Sequence, residues 1–226
     1  MNILEQTLGQ LAREIPGATA VFHNHQLDFC CGGEQTLAQA SERKKLDAEG
    51  IVAELVALHC HTEEAELWRA ASNSELIAHI LSRYHDVHRQ QLPELIRLSA
   101  RVEQVHGGHP ECPTGLADHL EQLQAELLTH MQKEERILFP MIAQGTTAMA
   151  LGPVSMMRHE HDGHGEAIAE LGRITGNITL PDGACNTWQA LYAGLNTLVV
   201  DLMDHIHLEN TVLFDRIDAQ GGLAHG

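Results

Sequence analysis

From Glu75 onward the chain places Leu, Ile, Val and Met at three- and four-residue intervals through four long segments, with polar residues between them. That spacing is the signature of helices with one buried stripe, and no alternating strand pattern competes with it. Short runs rich in Gly and Pro, such as Gly107-Gly108-His109-Pro110, separate the segments. The first helix is predicted from Ser72, whose side chain can cap while Glu75 completes a capping box, to about His106, with a kink at Pro93. The second runs from Gly115 to about Pro140, the third from Pro153 to Gly176 and the fourth from Gly183 to Asp218. Loops this short favour antiparallel neighbours. The expectation is therefore an all-α protein whose main domain, residues 74–220, is an up-down four-helix bundle.

The first 58 residues read differently. Shorter helical stretches are interrupted by Pro16 and by Cys30-Cys31-Gly32-Gly33, and a charged helix follows from Ala40 to Leu58. This is expected to be a separate small helical domain, 1–58. The acidic, weakly patterned stretch 59–73 reads as a linker.

Charge excludes some functions. Fourteen Lys and Arg against 31 Asp and Glu give a formal net charge of -17, and no basic cluster offsets that field. A phosphate backbone is repelled, so nucleic acid is excluded as a partner. No apolar run approaches the roughly 18 residues of a membrane span. The opening residues Met1 to Gln6 lack the basic start and apolar run of a secretory signal. The five cysteines form no disulfide framework, and the expected compartment is the cytoplasm. Cys60, Cys112 and Cys185 fall in linker and loop positions and read as incidental.

Histidine is the anomaly, with seventeen in 226 residues. Their placement is ordered by an internal repeat. His130, Glu134, Ile137, Leu138 and Phe139 in the second helix match His205, Glu209, Val212, Leu213 and Phe214 in the fourth. His85, Asp86 and His88 in the first match His161, Asp162 and His164 in the third. The offsets are 76 and 75 residues, so a helical hairpin occurs twice. A pseudo-twofold axis then directs matched positions toward one centre.

In each His-x-x-x-Glu the two side chains are about 6 Å apart along the axis on one face. That face carries the aliphatic residues expected in the core. Buried imidazole and carboxylate are costly unless paired or bound to a cation. The matched set is His85, His130, Glu134, His161, His205 and Glu209, which suits two ions. Two histidines would serve each ion, with both glutamates bridging ions about 3.5 to 4 Å apart and room for an oxygen bridge. Mixed nitrogen and oxygen ligation with open positions favours iron or manganese over structural zinc, and iron is the expected metal.

His88 and His164 are open as extra ligands or supporting groups. Asp86, Asp162 and Asp204, each next to a ligand, are candidates to accept from an imidazole N–H, with plain surface charge an equal alternative. Tyr84 is placed to reach the same pocket. His59, His61, His106, His109, His207 and His225 are expected to face solvent. Cys30 and Cys31, before two glycines, read as thiols near a helix N-terminus, where the dipole favours thiolate, or as small buried residues in a glycine turn.

A lone His on the first and third helices with His-x-x-x-Glu on the second and fourth resembles the hemerythrin-like di-iron domains. Leu27-Asp28-Phe29-Cys30-Cys31-Gly32-Gly33 ahead of such a domain, with Arg83-Tyr84-His85-Asp86, Glu160-His161-Asp162 and Met203-Asp204-His205, is similar to the Repair of Iron Centres family, which carries an ScdA-type N-terminal domain. The resemblance covers nearly the whole chain. It implies a di-iron protein of stress response that repairs iron–sulfur clusters, with the six matched residues as ligands and Cys30 and Cys31 in thiol transfer or docking. Its partners would be proteins with damaged clusters. Gly165, where a fifth histidine would stand in an oxygen carrier, argues against simple oxygen transport. The alternatives are reduction of nitric oxide to nitrous oxide at the same centre, and a module that senses nitric oxide or O2. Exposed thiols would permit a homodimer.

Overall fold

The computed structural model describes residues 3–15, 17–27, 29, 34–59 and 68–222. The chain divides into two units, Met1–Ser72 and Asn73–Gly226. No strand occurs among the described residues.

In the first unit a single 3-10 turn, Ile3–Glu5, precedes α1 (Leu8–Glu14), α2 (Ala18–Asn24), α3 (Leu37–Lys44) and α4 (Ala48–His59). Thr7 and Thr36 cap α1 and α3. Each hydroxyl accepts from the backbone N–H of Gln10 or Gln39, while that glutamine's side chain accepts from the threonine N–H. These reciprocal bonds satisfy donors a helix start would leave orphaned. The expected single helix over Ala40–Leu58 is two helices, because Lys45 adopts a left-handed conformation (φ 57°) that ends α3. Leu8, Leu11, Phe22, Leu37, Ile51 and Leu55 form this unit's core. Cys30, Cys31, Cys60 and His61 lie outside the described residues.

The second unit is built from four long helices. Helix α5 runs through Asn73–Ile80, a π-helical turn at Leu81–His85, and Asp86–His106. Helix α6 comprises Leu116–Lys133, a π turn at Glu134–Leu138, and Phe139–Ala143. Helix α7 is Thr147–Ile174 without such a turn. Helix α8 comprises Asn186–Leu208, a π turn at Glu209–Leu213, and Phe214–Gly222. Each helix packs on two others, α5 on α6 and α8, and α7 on α6 and α8, which closes the expected bundle.

Leu92, Leu120, Leu127, Trp188, Leu191, Tyr192 and Leu195 are fully buried in its core. Each such side chain contributes about 1.5–3 kcal/mol by leaving water. One helix start and one side chain differ from expectation. Helix α7 begins at Thr147, not Pro153, so Pro153 lies inside it, as Pro93 does inside α5. A proline costs a helix one donor and crowds one carbonyl, and a well-packed bundle absorbs that cost. Ile137, expected in the core, is 54% exposed, whereas its counterpart Val212 is buried. The π turns add a residue per turn and shift the helical phase, a change that 3.6-residue periodicity does not register.

Candidate metal centre

The π turns coincide with the site. One ends on His85, and the other two begin on Glu134 and Glu209. All six matched side chains point inward, and each is 4% exposed or less.

They form two half-sites that share both carboxylates. In one, His85 Nε2 lies 3.1 Å from His205 Nε2 and 3.4 Å from Glu134 Oε2, and His205 Nε2 lies 3.2 Å from Glu209 Oε1. In the other, His130 Nε2 lies 3.1 Å from His161 Nε2 and 3.4 Å from Glu134 Oε1, and His161 Nε2 lies 3.2 Å from Glu209 Oε2. Within each cluster the four donor atoms lie within 4.8 Å of one another. Each glutamate thus offers one oxygen to each half.

The outward nitrogens decide what the inward ones carry. His85 Nδ1 donates to Glu135 Oε1 at 2.8 Å, His130 Nδ1 to Glu160 Oε2 at 3.0 Å, and His161 Nδ1 to Asn210 Oδ1 at 3.0 Å. An imidazole whose Nδ1 holds its proton presents a bare lone pair at Nε2. The half containing His130 and His161 therefore aims two lone pairs and two carboxylate oxygens at one point with no proton among them. Neither oxygen of Glu134, nor Glu209 Oε2, has any hydrogen-bond partner. A cation satisfies this arrangement, and separations of 3.1–3.4 Å between donors fit atoms about 2.1 Å from a common ion. The residues present fit the di-iron group.

Electrostatics agree. Burial, and then the neighbouring Glu209, push the Glu134 carboxyl well above its usual range. Burial also opposes ionisation of Glu209, but the charge of the neighbouring His205 holds its carboxyl well below that range. Two carboxylates this close ionise together only when positive charge is supplied. Burial and the surrounding histidines outweigh the attraction of Glu209 and lower His130 to about 3, which keeps it a neutral donor.

The supporting acceptors are themselves held by cations. Glu135 accepts from Arg89 at 2.6 Å and Glu160 from Lys133 at 2.6 Å. The repeated phenylalanines cover matched rings: Phe139 stacks on His85 at 5.8 Å and Phe214 on His161 at 5.9 Å. Tyr84 stacks on His205 at 5.2 Å, which brings it into the pocket as the sequence suggests.

Other candidates take different places. His88 and His164 are buried behind the clusters, their rings 5.4 Å from His205 and 4.9 Å from His130, and neither belongs to a converging donor group. Asp86 is exposed beside Arg89, Asp162 is exposed, and Asp204 adds to the field around Arg83. The acceptors are instead Glu135, Glu160 and Asn210. Each adjoins a site residue in sequence but serves an imidazole on another helix. His106 and His109 are half-buried rather than wholly in solvent: both pack on Trp188, and His106 Nε2 contacts Cys185 Sγ at 3.1 Å.

A four-helix bundle with two His-rich half-sites sharing a glutamate pair defines a hemerythrin-like protein. The hemerythrin HHE cation binding domain matches residues 76–217, and the ScdA_N domain, of unknown function, matches residues 4–59. Hemerythrin HHE domains hold a di-iron centre, and the two buried clusters are suited to one. Over 216 residues, 96% of this chain and 98% of the relative, the sequence is 50% identical to the iron-sulfur cluster repair protein YtfE of Yersinia pseudotuberculosis. The match to YtfE of Yersinia pestis has the same identity and coverage. The chain belongs to this family of iron-sulfur cluster repair proteins.

Proposed function

We propose that the protein repairs damaged iron–sulfur clusters by supplying iron from a centre ligated by His85, His130, Glu134, His161, His205 and Glu209. The observation that carries the reading is the convergence of unprotonated ring nitrogens and shared carboxylate oxygens in a buried interior. The names of the Yersinia relatives supply the repair role.

Iron bound there provides a Lewis-acidic, redox-active pair with exchangeable positions. The protein's own groups do the rest. Glu135, Glu160 and Asn210 fix three imidazole tautomers and raise the basicity of the inward nitrogens. Phe139 and Phe214 exclude water from two rings. Glu134 and Glu209 each offer an oxygen to both halves, so they would hold an ion in either half.

As cargo, ferrous iron suits carboxylate and imidazole ligands, which hold it less tightly than a closed thiolate cage would. Cys30 and Cys31 are assigned to docking or thiol transfer at the client. The clients are iron–sulfur proteins in the cytoplasm. No helix among the described residues is long and apolar enough to cross a membrane, which accords with that setting. Nitric oxide reduction and gas sensing draw no support from any observation beyond the ligands they would share.

The test incubates the iron-loaded protein with a cluster enzyme inactivated by nitric oxide. Activity should return faster than with the same amount of free ferrous iron. Equal rates would remove the delivery function.

A further inference from the structure

The duplicated hairpins make the half-sites alike in ligands but not in what stands behind them. The repeat offset pairs Glu135 with Asn210 and Tyr84 with Glu160. In the half built on His130 and His161, both outward nitrogens have acceptors, Glu160 and Asn210. In the half built on His85 and His205, only His85 has one, Glu135. His205 Nδ1 is buried and meets no acceptor from the protein, because Tyr84 occupies the place corresponding to Glu160 and lays its ring flat against the imidazole, 7° from parallel.

The supports can be compared directly. Each half has one carboxylate acceptor balanced by a surface cation, Glu135 with Arg89 and Glu160 with Lys133. The second half has an amide in addition, and the first has nothing to match it. An acceptor on the outward nitrogen raises the basicity of the inward one and fixes the ring, so its loss weakens metal binding by about 10–100-fold. Backbone geometry also differs between the halves. His85 closes a π turn, whereas His161 lies in unbroken α-helix. π turns are less regularly hydrogen-bonded and gather at functional positions.

We propose that the two irons are held unequally, and that the iron on His85 and His205 is the one released first, with Tyr84, Glu160 and Asn210 as the positioning residues that set the difference. This rests on the reading of the six residues as iron ligands. It makes the centre a retained ion beside an exchangeable one. The retained ion keeps Glu134 and Glu209 in place so that the emptied half refills without refolding.

The experiment follows iron loss from the full-length diferrous protein to excess chromogenic ferrous chelator under anaerobic conditions. Two phases of one iron each are expected, separated by about tenfold or more. Asn210→Leu and Glu160→Gln should each accelerate only the slow phase, and Glu135→Gln only the fast one. Protein loaded with iron-56, stripped of its fast iron and refilled with iron-57, should show a single Mössbauer quadrupole doublet. The refilling measurement reports inequivalence even if a variant folds poorly. Loss of both irons in one phase, or acceleration of the fast phase by Asn210→Leu, overturns the proposal and leaves cluster repair standing. Biphasic release with no restored cluster does the reverse.

Discussion

The Nε2 atoms of His130 and His161 face each other across 3.1 Å in the bundle interior, and the opposite nitrogen of each ring donates outward, to Glu160 and to Asn210. Two lone pairs in that relation repel unless a cation lies between them. The same relation explains why the glutamates are shared: each has one oxygen for each imidazole pair.

Replacing a shared carboxylate therefore disables both halves together. Glu134→Gln should lower bound iron from two per chain to less than one, read by colorimetric iron assay. In metal-free protein the same change removes a carboxyl that burial and Glu209 already disfavour as an anion. The apo variant should melt no lower than the apo parent.

Metal-free protein should lose stability in mild acid. Burial first, then the charges of neighbouring histidines, lowers His88 to about 3 and His164 to about 4. The unfolded chain takes up these protons below the ordinary value near 6.5. Their contribution is thus complete above about pH 6.5 and is lost as pH falls toward 4. The slope is up to about 1.4 kcal/mol per pH unit for each histidine. Urea denaturation at pH 7 and pH 5 measures it, and His88→Leu should flatten the dependence.

Arg83 pairs with Asp201 at 2.7 Å, and Gln91 adds a longer bond of 3.4 Å to the same carboxylate. Asp201 is 5% exposed, so Arg83→Ala leaves a buried carboxylate without its cation. A loss of about 1–3 kcal/mol is expected, and Arg83→Ala/Asp201→Asn should recover part of it in denaturant titrations.

Leu191 lies fully buried in the bundle core on α8, about four helical turns before His205. Leu191→Ala should cost about 2–5 kcal/mol through lost burial and the cavity left behind. Iron stoichiometry at 25 °C should stay at two per chain, which separates core stability from ligation.

The bundle and its six inward residues were legible in the sequence because duplication doubles the signal. His85 or Glu134 alone is an ordinary buried polar residue, whereas the same types at matched offsets define a centre. The supporting acceptors were not legible. Adjacent residues on a helix diverge by about 100°, so Glu135 was not expected to serve His85, which lies on another helix and reaches it only through packing. The π turns escaped for a related reason, since one extra residue leaves composition unchanged and alters only phase. Helix α7 passed through Pro153 because the bundle's packing outweighed a local breaking signal. Trp188 partly covers His106 and His109 through a tertiary contact that the local sequence does not encode.

Anomalous diffraction at the iron edge from crystals of the iron-loaded protein addresses the binuclear site most directly. Two peaks about 3.5–4 Å apart are expected, one bonded to His85 and His205, the other to His130 and His161, and both to Glu134 and Glu209. A single peak, or iron bound away from these six side chains, would contradict the binuclear site.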